Sequence, residues 1–244
     1  MFDQTQTRVA IVTGSGGSIG KAICEWLLND GFTVYGLDRD NTLEHAGFTF
    51  LATDLTRYAT LPALLESEVE FGDENLLVNC AGIREILPIK DLTLEVWEQV
   101  MAVNLTAPFV LSQYFGTKVK EAGLQGSIVN IASVAGTLGE PERTAYVVSK
   151  TGVIGLTKQL AIEFGDAGIR ANSISPGVTR TNMTEQYFDD PEQVALIHNG
   201  LCLNRVGQPN DIASMVGFLA GQNAGFITGS NFIVDGGWTA GKQL

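Results

Sequence analysis

The sequence predicts an α/β fold, a doubly wound parallel sheet flanked by helices on both faces, formed as a single domain over residues 1–244. Three observations predict it. Short apolar runs alternate with segments of helical spacing along the chain, as strands and covering helices must. The first apolar run passes through a glycine loop straight into a helix. No internal repeat, low-complexity tract or linker interrupts the alternation. At 244 residues, with 45% hydrophobic and 17% charged, the chain can bury a substantial core.

Val9 to Val12 is the first strand, entering Thr-Gly-Ser-Gly-Gly-Ser-Ile-Gly (Thr13 to Gly20), and Ala22, Ile23, Trp26 and Leu27 mark the helix behind it. Backbone amides and the positive helix end there can face an anion, and missing side chains let a pyrophosphate approach. Phe32 to Leu37 is a second strand closing in Asp38, placed to accept hydrogen bonds from a ribose and to repel a 2′-phosphate; the adjacent Arg39 could pair with one. A third strand, Phe48 to Ala52, leads to Asp54 and Leu55, and a helix is expected from Leu61 to Phe71. Leu76 to Val78 runs into Asn79, Cys80, Ala81 and Gly82, small residues suited to a flat ligand or to an ordinary turn. The helical region from Leu94 contains Asn104, a polar residue among apolar neighbours that needs partners if buried.

The most informative stretch is Asn130 to Lys150. Ile128, Val129 and Ile131 read as a buried strand ending at Ser133, a Gly- and Pro-containing loop follows, and helical spacing begins at Ala145. Tyr146 and Lys150 then share one helical face. A hydroxyl, a phenol and an ammonium can converge, and the cation is expected to lower the phenol's pKa. A second Tyr-x-x-x-Lys, Tyr114 and Lys118, has Met101 thirteen residues before its tyrosine, whereas Tyr146 has Ser133. Tyr114 is read as packing and Tyr146 as chemistry.

Beyond that helix, Arg170 to Thr181 forms a strand and a Pro-Gly loop, and Met183 to Asn204, with Tyr187 and Phe188, reads as a helical flap over residues 181–204. A helix from Gln208 and a strand from Asn231 to Val234 complete the alternation.

The net charge of −12 argues against binding to nucleic acid or an anionic membrane surface, so an anionic ligand must be held by local features. Cys24, Cys80 and Cys202 form no Cys-x-x-Cys, which suits a reducing compartment. Polar Asp3, Gln4 and Gln6 argue against a signal peptide, and no apolar run reaches membrane-span length; a cytoplasmic location is expected. His45 and His198 lack ligand-spaced neighbours, and no metal site is expected.

Taken together, these motifs resemble the short-chain dehydrogenase/reductase family over almost the whole chain, Thr13 to Gly237, which implies a Rossmann-like sheet. The resemblance matches Thr13, Gly14 and Gly20 to the glycine motif, Asp38 to the ribose acid, Asp54 to the adenine-side acid, and Asn79, Ala81 and Gly82 to the Asn-Ala-Gly turn. It places Asn104, Ser133, Tyr146 and Lys150 as the catalytic set and Pro176, Gly177 and Thr181 in the cofactor loop. Ser15, Ser18, Ile19, Arg39, Leu55 and Thr179 join the implied cofactor contacts. Ser18 departs from the pattern, standing where the family has a glycine, with cofactor binding expected to survive and the loop to change shape.

The implied roles are Tyr146 as general acid/base, Ser133 holding the substrate oxygen, Lys150 lowering the tyrosine's pKa and binding the nicotinamide ribose, and Asn104 positioning a water toward Lys150. Thr181 and the backbone near Thr179 would anchor the carboxamide. The expected activity is NAD-dependent interconversion of a secondary alcohol and a ketone, with NADP the less favoured cofactor. Arg84, Arg143, Met183 and Tyr187, with Ser133 and Tyr146, are the expected substrate contacts, and Glu140, Glu142 and Arg143 suggest a polar mouth for a sugar, polyol or cyclic diol. Reduction of a 3-oxoacyl thioester on acyl carrier protein is the alternative reaction, and an idle dinucleotide sensor or scaffold the non-enzymatic one. Apolar residues on more than one stripe of the helices Pro108 to Val119 and Thr144 to Phe164, with family precedent, imply a homotetramer.

Overall fold

A computed structural model describes residues 6–241; Asp3 and Gln4 lie outside the described residues. Seven strands run parallel in the order β3-β2-β1-β4-β5-β6-β7: β1 (Arg8–Thr13), β2 (Thr33–Asp38), β3 (Phe48–Ala52), β4 (Glu74–Asn79), β5 (Gln125–Ile131), β6 (Arg170–Pro176) and β7 (Asn231–Val234). Parallel strands need crossovers, and helices supply them on both faces. One face carries α1 (Ser18–Asn29) and α7 (Pro209–Ala220), which bury Ile23, Leu27, Ile212 and Val216 against Val12, Val34 and Val129. The other carries α2 (Leu61–Glu68), α4 (Ala107–Glu121) and α5 (Thr144–Phe164), whose Leu65, Leu111, Phe115 and Leu160 pack on Ile11, Leu37 and Ile128. α3 (Leu94–Met101) precedes α4, and α6 (Pro191–Gly200) lies between β6 and α7.

The strand order reverses between β1 and β4. Register pairs Thr13 with both Leu37 and Asn79, and Asn79 with Asn130, so the carboxyl ends of β1, β2, β4 and β5 form one rim. Ligands of open α/β sheets bind in the crevice outside such a switch point.

Three boundaries differ from expectation. β5 stops at Ile131, because Ser133 turns away and caps a short helical turn, its Oγ accepting from the Ala135 amide at 3.1 Å. The helix expected to reach Phe71 ends at Glu68; Val69 takes an extended backbone and is buried. The expected 181–204 helix is only partly helical: a single turn over Glu185–Tyr187 precedes α6, whose start is set by Pro191 behind the Asp190 side-chain cap. Asn104 lies in a wider π-helical turn, Ala102–Thr106, joining α3 to α4.

Candidate active site

The glycine loop between β1 and α1 is shaped by contacts that exclude side chains. Gly14 has φ +72°, and a Cβ there would meet the Ala81 backbone at 2.8 Å. A Cβ on Gly20 would lie 2.0 Å from the Gly14 carbonyl oxygen. Thr13 Oγ1 accepts from the amides of Cys80 and Ala81 at 3.0 and 3.2 Å, stapling the loop to the end of β4. The first turn of α1 holds no acidic residue, so its positive end is open to an anion.

That end faces a cleft of about 380 Å³ lined by Gly14, Ser18, Ile19, Gly20, Asp38, Arg39, Asp54, Leu55, Ala81, Gly82 and Thr181. Asp38 is held from behind, its Oδ2 accepting from Gly16 N at 2.9 Å and its Oδ1 from Arg39 N at 2.7 Å. Asp54 is already engaged: its Oδ1 accepts from Thr56 N and Thr56 Oγ1, both at 2.9 Å, and these bonds hold its carboxyl below the usual range. Ser18 does not fill the loop. Its side chain turns outward, where Oγ accepts from Asn182 N at 3.2 Å and bridges α1 to the segment after β6.

Two expected cofactor contacts, Ser15 and Asn79, line neither this cleft nor the pocket beside it. Ser15 is buried beneath the loop, with its hydroxyl against Gly36. Asn79 points into the sheet's far face and donates to Ser112 Oγ at 3.1 Å and Asn130 Oδ1 at 2.8 Å. Both side chains are buried, so these residues shape the rim without lining it.

The cleft opens onto a second pocket of about 160 Å³, bounded by Arg84, Ser133, Arg143, Tyr146, Lys150, Pro176, Gly177, Thr179, Met183 and Tyr187. Ser133 and Tyr146 line this pocket together, and Lys150 Nζ lies 5.8 Å from the centre of the tyrosine ring. Lys150 is buried and donates to the Ile131 carbonyl at 2.7 Å. Asn104 receives the Ile83 amide and donates to the Ile83 carbonyl, both at 2.8 Å, while its Nδ2 also reaches Ser149 Oγ at 3.0 Å. Its side chain thereby locks the loop after β4 to α5. Thr181 and Thr184 share a hydrogen bond at 3.1 Å, and Thr184 donates to the Thr179 carbonyl at 2.6 Å, which folds the segment after β6 back on itself.

A family model described as Enoyl-(Acyl carrier protein) reductase matches residues 14–239. The chain belongs to the short-chain dehydrogenase/reductase family. It is similar to the D-threitol dehydrogenase of Mycolicibacterium smegmatis, at 35% identity over 95% of this chain and 93% of that protein. It is also similar to the 3-oxoacyl-[acyl-carrier-protein] reductase of Haemophilus influenzae, at 37% identity over 95% and 98%. Among solved structures, a 4-hydroxyisoleucine dehydrogenase complexed with NADH superposes with a TM-score of 0.92 and 42% identity, over 97% of this chain and all of that one.

In this short-chain oxidoreductase the electrostatics of the phenol differ from the expectation that Lys150 lowers its pKa. Burial dominates and pushes Tyr146 up; the neighbouring Ser133 hydroxyl and the Arg84 and Arg143 guanidiniums pull it down. Lys150 is aimed at the Ile131 carbonyl, and burial brings its own pKa down to about 8, which weakens it as a cation. The other Tyr-x-x-x-Lys pair faces outward: Tyr114 and Lys118 both bind Glu66, with Lys118 Nζ 2.7 Å from its carboxylate.

The enzyme also uses residues that the sequence did not single out. Glu85 is buried and caps α5 from sixty residues away, accepting from Ala145 N at 2.6 Å and from Tyr146 N at 3.2 Å. Asn182, likewise unmarked, holds Ser18. No local pattern marks a cap so distant in sequence, and only the buried position of an acid next to Arg84 could have hinted at it.

Proposed function

We propose that this oxidoreductase interconverts a secondary alcohol and a ketone of a small hydroxylated compound with NAD. The observation that carries the reading is that Ser133, Tyr146 and Lys150 line one pocket together, with Lys150 Nζ 5.8 Å from the centre of the Tyr146 ring. A nicotinamide dinucleotide fits the residues present: the bare amino end of α1 suits a pyrophosphate, and Gly14, where a Cβ would clash with the Ala81 backbone, keeps the loop tight against the end of β4. When bound, the dinucleotide supplies the hydride acceptor for oxidation or the donor for reduction, so that alcohol and oxidised cofactor balance against ketone, reduced cofactor and a proton.

Tyr146 is the proton-transfer group. Its raised pKa keeps the phenol protonated near neutral pH, the form that delivers a proton to a carbonyl oxygen. Ser133 would orient that oxygen, and Lys150 would bind the nicotinamide ribose. Asp38, with both oxygens fixed by backbone amides, accepts ribose hydroxyls and disfavours a 2′-phosphate, which supports NAD over NADP. The likeness to a threitol dehydrogenase supports a polyol-like substrate, and the likeness to a 3-oxoacyl-carrier reductase keeps thioester reduction as the second reading. Exposed Phe109, Val148 and Ile162 on α4 and α5 support a homotetramer, which light scattering would test.

The deciding experiment follows absorbance at the reduced-nicotinamide band with NAD and NADP, in both directions, across alcohols, ketones, hydroxy acids and a 3-oxoacyl thioester. Turnover of a secondary alcohol with NAD supports the reading. Turnover confined to the thioester with NADPH, or binding of a dinucleotide with no turnover across the panel, overturns it.

A further inference from the structure

The second pocket carries more positive charge than its own residues neutralise. Arg84 and Arg143 flank the ring of Tyr187, with guanidinium carbons 4.9 and 5.8 Å from its centre. Arg143 is neutralised by Glu140 and donates to Tyr187 Oη at 2.5 Å, yet its Nε is buried and has no acceptor. Arg84 donates to the neutral Met183 carbonyl at 2.6 Å, and no carboxylate among the described residues pairs with it. Its neighbour Glu85 is committed to the amides at the start of α5. Burial pulls the Arg84 pKa down, Tyr187 opposes this, and the nearby Arg143 adds to the depression. A half-buried arginine without a counter-ion and an orphaned guanidinium N–H beside it are unfavourable unless a ligand satisfies them.

We propose that Arg84 and Arg143 form a carboxylate clamp, and that the substrate is a hydroxy acid or its oxo counterpart. This inference rests on the alcohol–ketone reading and narrows its substrate class. A planar carboxylate suits two guanidiniums, because each presents parallel N–H donors. The anion would sit in the same pocket as Ser133 and Tyr146, so the carbon undergoing oxidation lies a few bonds from the acid. In a chain of net charge −12 these cations are a local exception, and they select an anionic substrate against the overall field. The contacts of Arg84 with Met183 and of Arg143 with Tyr187 also mean that both arginines hold the segment closing the pocket.

Two measurements test the clamp. Calorimetric titration of the NADH-loaded enzyme with succinate, a small dicarboxylate that needs no turnover, should show binding that Arg84→Met and Arg143→Met each weaken by roughly 10- to 100-fold, the range expected for a lost charged hydrogen bond. The Tyr146→Phe variant, in contrast, should retain succinate binding. NADH fluorescence titration shows that each variant is folded. In the kinetic arm, the ratio of kcat/KM for a 4-hydroxy acid to that for its amide should be high in the wild type and fall by a similar factor in Arg84→Met, chiefly through KM. If turnover is absent from the whole panel but succinate still binds through Arg84, the clamp stands and the reaction assignment fails. No succinate binding to the NADH-loaded wild type, equal binding to Arg84→Met, or tighter binding of inorganic phosphate than of succinate each overturns the clamp.

Discussion

Removing the Glu85 carboxylate should destabilise the fold and misplace Tyr146, the proposed proton-transfer group, together. The side chain is buried, with 7% of its surface exposed, and spans two backbone amides at the start of the 21-residue α5. The residue at the cap position, Arg143, contributes no side-chain hydrogen bond, so Glu85 replaces the usual local cap and places a carboxylate at the positive helix end. Glu85→Ala leaves two N–H groups without an acceptor in a protein-lined site, at about 1–3 kcal/mol each before water enters, so a loss of roughly 2–4 kcal/mol is expected. At about 2–4 °C per kcal/mol for a chain of this size, the melting temperature should fall by roughly 5–15 °C. Glu85→Gln keeps one carbonyl acceptor and should lose about half as much. Because one of the two amides belongs to Tyr146, kcat should fall more than NADH affinity in both variants. Thermal melts by circular dichroism, read beside single-turnover rates, provide the check. A Glu85→Ala melt within about 1 °C of the wild type would refute the capping argument.

Tyr146→Phe should abolish turnover and leave NADH binding intact by fluorescence titration, whereas Tyr114→Phe, which removes only a hydroxyl bound to Glu66, should turn over at nearly the wild-type rate; equal loss in both would reject the assignment. Asp38→Ala should lower the preference for NADH over NADPH by roughly 100-fold, the several kcal/mol that like charges in contact cost; an unchanged ratio of kcat/KM would move cofactor choice to other residues. Burial depresses the Lys150 pKa from 10.5 to about 8, so between those values the unfolded chain holds a proton that the folded chain lacks. Stability should therefore rise with pH through that window and be lowest below it. Lys150→Met, which also forfeits the bond to the Ile131 carbonyl, should be inactive yet more stable near neutral pH by on the order of 1–3 kcal/mol. Urea unfolding followed from about pH 7 to 10 should show this advantage shrinking, and a less stable variant at neutral pH would contradict it.

The sheet was legible because its signals are local. Apolar runs such as Val9 to Val12 and Leu76 to Val78 are strands buried on both faces, and glycines at positions 14 and 20 are required by contacts within a few residues or with one neighbouring strand. Pro191 could also be read locally as a helix start, and the expected continuous flap helix overlooked it. What could not be read were contacts set by tertiary approach. Ser18 breaks the family pattern in sequence, yet its side chain finds Asn182, 164 residues away. Asn79 and Asn104 are both buried asparagines near the site, but only the coordinates separate one that ties strands and helices from one that ties a loop to the catalytic helix.

The phenol shows most clearly where periodicity stops being informative. Helical spacing determines that Tyr146 and Lys150 share a face, but the sign of the phenol's pKa shift is the difference between burial and the charges that reach it from every side. The cations acting on Tyr146 are Arg84, from the loop after β4, and Arg143, from the loop before α5, while Lys150 is occupied by the Ile131 carbonyl. The same two arginines that bias the phenol are those left with unsatisfied charge or N–H in the pocket. A carboxylate seated between them would cancel part of their pull on Tyr146 and raise its pKa further, so binding of an oxo acid would strengthen the hold on the proton needed for reduction. On the proposed clamp, substrate charge and proton transfer would be coupled through Arg84 and Arg143, which the Tyr-x-x-x-Lys spacing alone does not disclose.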